Sequence, residues 1–128
     1  MTIRHIAVAA AALAVVSTAY LAGRHAVYAQ TQAEMTAWAD HDYVKADKKL
    51  NAVYQQVLKK TSDEYTPATK RKLIASERAW IAYRDAESHY EASVGGEGGT
   101  IYPNIFALTA TDLTEERTKL LKDMLTRN

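Results

Sequence analysis

The segment Arg78-Ala-Trp-Ile-Ala-Tyr-Arg84-Asp85-Ala-Glu87 most constrains this chain, because it sets two arginines, two aromatics and two acids on one stretch of helical period. At helical spacing Glu77, Trp80, Ile81, Arg84 and Ser88 fall along one stripe, so an arginine shares a track with apolar residues that face a core. An unpaired guanidinium is costly to bury. The expectation is therefore a buried or half-buried ion pair that fixes helix register, rather than a direct ligand contact.

The rest of the chain reads as helix to either side of that segment. Thr31-Gln-Ala-Glu34 fits a capping box and predicts the start of a first helix. Met35, Trp38, Ala39, Ala46, Leu50, Val53, Tyr54 and Val57 then recur at three- and four-residue spacing to about Lys60. Thr61 to Thr66 breaks the pattern. Thr66 before Pro67 predicts a new helix start, running to about Ser93 with Leu73, Ile74, Trp80, Ile81 and Tyr83 or Tyr90 as its apolar face. Gly95-Gly-Glu-Gly-Gly99 ends it. Ile105, Phe106, Thr109, Leu113, Arg117, Leu120, Leu121 and Leu125 keep a helical period in a third helix, with Pro103 in its first turn or in the loop before it. No β alternation competes. The expected fold is all-α, a long antiparallel two-helix hairpin with a third helix packed across it.

Residues 1–29 read as an export signal. Arg4 and His5 give a positive start, Ile6 to Ala22 is an uncharged apolar run, and Val27-Tyr28-Ala29 offers small residues for cleavage before Gln30. The run is somewhat short for a membrane span and is followed by Gly23 and the polar Arg24-His25; a retained anchor is the alternative. Residues 30–128 then form one small helical domain, placed in the periplasm or secreted, with no stable membrane insertion once the signal is cut. The signal holds Arg4 and Arg24 and no acids, so the domain carries 16 − 2 = 14 bases against 15 acids, a net −1. That balance argues against a nucleic-acid partner. The chain has no cysteine, which removes thiol catalysis, thiolate metal sites and disulfide cross-links, and leaves stability to helix packing.

Charge is unevenly placed. Asp85 to Glu97 holds four acids and no base, while Lys59 to Lys72 holds five bases against Asp63 and Glu64. Antiparallel packing gathers Lys59, Lys60, Lys70, Arg71 and Lys72 at one end, and Asp40, Asp42, Glu87, Glu91 and Glu97 at the other. Helix two thus carries bases near its N-terminus and acids near its C-terminus, against its dipole. A locally unfavourable pattern points to function, although solvated surface balanced by neighbouring helices is the simpler account.

The other motifs are weaker. The glycine run lacks the Gly-Lys-Ser/Thr ending of a phosphate loop and follows no strand, so it reads as a turn or as an exposed loop that enters a partner's cleft, with Glu97 and Tyr102 as contacts. Asp85 with His89, and His41 with a nearby acid, lack a third metal ligand. Ser88 and His89 point apart on a helix and make no nucleophile–base pair. No cofactor, metal or catalytic set is expected, and the chain is not read as an enzyme. Asp47, Asn51, Arg84, Asp85 and Arg117 are candidates for one inter-helix polar network of structural role. Trp38 and Trp80 read as core anchors.

Taken in order, Ala46-Asp47-x-x-Leu50-Asn51-x-x-Tyr54, Arg78-Ala-Trp80-Ile-x-Tyr-Arg84-Asp85-Ala-Glu87, Gly98-Gly99-Thr-Ile-Tyr-Pro103 and Leu113-Thr-Glu-Glu-Arg117-Thr resemble the lysozyme inhibitor LprI-like domain family. The likeness spans nearly all of residues 30–128, and the Arg-Ala-Trp and Tyr-Arg-Asp segment is its specific part. It implies an exported, largely helical domain and points to lysozyme inhibition. Members typically carry cysteines where Trp38, Ser88 and Thr109 stand here, so the resemblance also implies that the usual cross-links are missing. Two readings follow. One is an exported binding protein that inhibits a c-type lysozyme by presenting its acidic end and glycine loop, with Glu87, Glu91, Glu97 and Tyr102 in contact. The other is an adaptor module with another envelope protein as partner.

Overall fold

The computed structural model describes the backbone of residues 3–127 and the side chains of residue 24 and residues 26–127. Its elements are α1 (Ile3–Glu64), α2 (Pro67–Gly96) and α3 (Tyr102–Thr126), and the described residues hold no strand. The all-α expectation holds, with α3 packed against both α1 and α2. The chain divides into two compact units, Met1–Glu34 and Met35–Asn128.

The first unit is the N-terminal part of α1. Here the expected helix start is corrected. The Thr31 hydroxyl donates to the Val27 and Tyr28 carbonyls at 3.1 and 3.0 Å, and Glu34 accepts from the Gln30 amide at 3.3 Å. Thr31 is thus inside the helix and bonds back to the preceding turn, because a capping-box sequence caps only where the upstream residues are not themselves helical. The export-signal reading falls mostly on residues 1–23, whose side chains lie outside the described residues. Among the described residues no helix is long and apolar enough to cross a membrane.

In the second unit, α1 buries Ala39, Ala46, Leu50, Val53 and Val57, a stripe of three- and four-residue spacing. The break predicted at residues 61–66 falls at the end of this range, since α1 continues to Glu64. Thr66 caps α2 as expected: its backbone is extended and its hydroxyl accepts from the Thr69 N–H at 3.3 Å, with Pro67 in the first turn. Pro103 likewise lies in the first turn of α3. Between them Gly98 adopts a left-handed φ of 67°, open to glycine at no steric cost. Gly95, still helical, faces the Ile105 side chain so closely that any Cβ there would collide with it.

The three helices change character along their length. At one end Leu50, Val53 and Val57 of α1 meet Leu73 of α2 and Leu121 of α3 in an aliphatic cluster. Lys60 closes this end by donating to the Leu125 and Arg127 carbonyls, both at 3.0 Å, so a cation meets the negative terminus of α3. At the loop end the buried residues are Ala39, Ser88, Ala92, Asn104, Ala107 and Ala110. Asn104 fastens that end by donating its amide to the Met35 carbonyl at 3.0 Å.

Several predicted core positions are corrected. Trp38 is 72% exposed, and Met35, Tyr83, Tyr90 and Leu120 also face out, as Ile81 does in part. On α2 the buried stripe is Leu73, Glu77, Arg84, Ser88 and Ala92. Small and paired polar side chains occupy the contact because the neighbouring helices offer carboxylates and alanines there, and the larger aromatics are turned to solvent.

Candidate functional site

The middle of the bundle is built around Trp80. The Arg84 guanidinium lies 5.4 Å from its ring centre and that of Arg117 5.8 Å away, while Arg84 also lies 5.3 Å from the Tyr43 ring. Both distances to Trp80 are within cation–π range. Arg84 is buried, and its Nη1 reaches Asp47 Oδ1 of α1 at 3.1 Å while its Nη2 and Nε reach Asp85 Oδ1 at 2.8 and 2.9 Å. Asn51 donates its amide to Asp47 Oδ2 at 3.0 Å and so orients that carboxylate. Four of the five residues expected in one network, Asp47, Asn51, Arg84 and Asp85, are joined by these bonds.

Arg117 is the exception. It turns to Glu77 instead, donating from Nη2 at 2.8 Å and Nε at 3.0 Å to Glu77 Oε2. The expectation that it shares one network with Asp47, Asn51, Arg84 and Asp85 is corrected: its hydrogen bonds go to Glu77, about two turns before Arg84 on the same α2 stripe. Glu77 was legible as part of that stripe; nothing in the sequence marked it as the acid for Arg117. The other oxygen of Glu77, Oε1, and the buried Thr114 hydroxyl have no hydrogen-bond partner.

Electrostatics follow from burial. Desolvation would lower the pKa of Arg84, but the Asp85 hydrogen bond, the field of Tyr43 and the contacts with Asp85 and Asp47 outweigh it and hold the guanidinium above its ordinary value. Burial pushes the Tyr43 hydroxyl up; Arg84 opposes the rise, and Asp47 and Asp85 add to it. Tyr54 is raised as well, first by burial and then by Glu77, against Arg78. Arg84 thus stays a permanent cation and Tyr43 a neutral hydroxyl through the physiological range, which suits a fixed brace and not a proton-transfer group.

The Asp47–Arg84 pair also sets the antiparallel register of α1 and α2, carrying Asp40 and Asp42 toward the end that holds Glu87, Glu91 and Glu97. Asp40, Asp42, Glu91 and Glu97 are exposed and Glu87 is half-buried. Tyr102, half-buried, shares a 2.8 Å hydrogen bond between its hydroxyl and His89 Nδ1. The His89 ring in turn lies 4.7 Å from that of Phe106. His89 is thus the residue that sequence reasoning missed at this end, since a contact across 13 positions leaves no periodic signal. Among the described residues no group of three or more potential ligands converges on a metal site.

Comparison with known proteins places this arrangement. The model of the family described as "Lysozyme inhibitor LprI" matches residues 23–121. An uncharacterized protein of Rhizobium meliloti is 32% identical over 107 residues, covering 76% of each chain. Among solved structures, the crystal structure of a DUF1311 family protein from Pseudomonas putida superposes with a TM-score of 0.68 at 20% identity, covering 74% of this chain and 94% of that one. At that identity the likeness speaks for the fold.

Proposed function

The chain belongs to the lysozyme inhibitor LprI family, and from that premise we infer that it is an exported helical binding protein that inhibits a c-type lysozyme through its acidic end and glycine loop. The observation that carries this reading is the Tyr102–His89 bond beside the loop. It fixes an amphipathic side chain next to Glu97, and a preordered contact loses less entropy on binding than a mobile one. Asp40, Asp42, Glu87 and Glu91 supply a field that steers a basic protein toward that end. In the absence of cross-links, the Arg84 brace and the Asn104–Met35 bond take over the task of holding the loop end together.

The test is inhibition of c-type lysozyme by the purified protein, with direct binding measured by calorimetry at low and moderate salt. Inhibition should weaken as salt rises. Replacing Glu87, Glu91 and Glu97 together by Gln should cost about tenfold in affinity and flatten the salt dependence. Unchanged affinity and unchanged salt dependence would reject the acidic-end mechanism.

A second reading, an adaptor with an envelope protein other than lysozyme, draws on Tyr83, Tyr90 and Val94. They are exposed at 52, 60 and 66% and recur at helical spacing along the outer face of α2. Capture of a protein partner that is lost on Tyr90→Ser, with no binding to lysozyme, would favour it.

A further inference from the structure

The end of the bundle remote from the loop contains a cleft of about 390 Å³, within the size range of small-ligand sites. Its apolar wall is Val57, Leu73 and Met124, continuous with the aliphatic cluster. Lys60, Lys72 and Arg127 bring three cations to it. Lys60 is already engaged with the α3 carbonyls and lies 3.9 Å from Glu64. The side chains of Lys72 and Arg127 have no hydrogen bond or ion pair among the described residues.

Two hydroxyls add to these cations. Elsewhere in the helices Ser62, Ser88, Thr111 and Thr118 donate back to the carbonyl four residues before them, the usual way a helical hydroxyl is satisfied. Thr61 and Ser76, which line the cleft, make no such bond. Thr61 is only 7% exposed, yet its hydroxyl is not among the fully buried atoms that lack a partner, so the oxygen opens onto the cleft that also holds the Lys72 and Arg127 side chains.

We propose that this cleft binds a single-headed amphiphilic anion, an alkyl chain carrying one carboxylate or phosphate. The chain rests on Val57, Leu73 and Met124, and the head meets Lys72, Arg127 and the Thr61 and Ser76 hydroxyls. Charge decides the sign of the head group: the charged side chains that line the cleft are all cations, and of these only Lys60 has an acid beside it, Glu64 at 3.9 Å. The apolar wall decides against a bare anion, which gains nothing from contact with three aliphatic side chains. This site is independent of the lysozyme reading, since it lies at the opposite end of the helices from the glycine loop.

The test is a titration of the methyl-labelled full chain, followed by NMR, with decanoate, decyl phosphate, decyltrimethylammonium and inorganic phosphate. Decanoate, decyl phosphate or both should shift the Met124 and Leu73 methyl signals saturably, and which of them binds tighter identifies the head group. Decyltrimethylammonium and inorganic phosphate should leave those signals in place. Lys72→Gln with Arg127→Gln should weaken binding about tenfold at an unchanged melting temperature, and Thr61→Val, which keeps the side chain's shape, should weaken it in the same direction. Equal binding of the cationic amphiphile, shifts confined to other methyls, or full affinity in the double variant would each overturn the proposal.

Discussion

The two ends of the helical unit bury their interfaces with different material. At the cleft end, Leu50, Val53, Val57, Leu73 and Leu121 fill the space between helices with branched side chains. At the loop end the same three helices meet through Ala39, Ala92, Ala107 and Ala110, three of them at 0–1% exposure. Small side chains let helix axes approach closely, and Gly95 against Ile105 carries that to the last turn of α2. The aliphatic end is stabilised by apolar area removed from water, whereas the alanine end gains less area per residue and depends on fit. The ion-paired middle joins the two, and its two arginines are not equivalent.

That difference gives the largest expected effect. The partner of Arg117, Glu77, is a buried carboxylate with a side chain 6% exposed, while the partners of Arg84, Asp47 and Asp85, keep 40 and 45% of theirs in solvent. Arg117→Met strands a buried charge and should cost about 3–5 kcal/mol. Arg84→Met leaves two carboxylates that water can reach, and should cost about 1–2 kcal/mol through the lost pairs and ring contacts. Urea denaturation of both variants measures the difference. Equal losses would mean that the two pairs are buried alike.

The ends themselves should fail in opposite ways. Leu121→Ala opens a cavity in the aliphatic cluster and should cost about 2–5 kcal/mol. Ala92→Leu forces a large side chain into a contact with no free surface and should cost about 1–3 kcal/mol by overpacking. In addition, the second variant should loosen the loop and so weaken the His89–Tyr102 bond, seen as a change in the His89 ring signals by NMR. An Ala92→Leu protein as stable as the parent would show that the loop end has slack.

Much of this was legible in the sequence, and its failures share a cause. Thr66-Pro67 fixed the start of α2 because a cap and a proline act locally, and Arg84 announced a carboxylate across a helix interface because a lone buried cation has few other solutions. Thr31 misled because the same local chemistry works at a cap and inside a helix, and only the upstream chain decides between them. Trp38, Tyr83 and Tyr90 misled because size and apolar character were read as burial. At an interface of alanines and ion pairs a large ring does not fit the contact, and periodicity cannot tell which of two faces a helix turns inward. The His89–Tyr102 bond and the cleft depend on side chains far apart in sequence, and no pattern within one helix encodes them.

The smallest expected effect tests the ion-paired middle from the α3 side. Thr114 is fully buried, yet its hydroxyl has no hydrogen-bond partner, in the same part of the bundle where Glu77 Oε1 also lacks one. A hydroxyl desolvated without compensation costs about 1–3 kcal/mol in proteins. Thr114→Val keeps the branched shape and removes that cost, so it should be neutral to about 1 kcal/mol stabilising, the reverse of what a buried polar-to-apolar change does when a hydrogen bond is lost. Thr118→Val, one turn on, supplies the contrast, because its hydroxyl donates to the Thr114 carbonyl at 2.8 Å and its loss should destabilise by about 1 kcal/mol. If melting temperatures fall equally for both, the Thr114 hydroxyl is bonded in solution and the polar middle is better satisfied than its side-chain geometry indicates. If only Thr118→Val falls, the middle of the bundle keeps a fully buried hydroxyl without a partner.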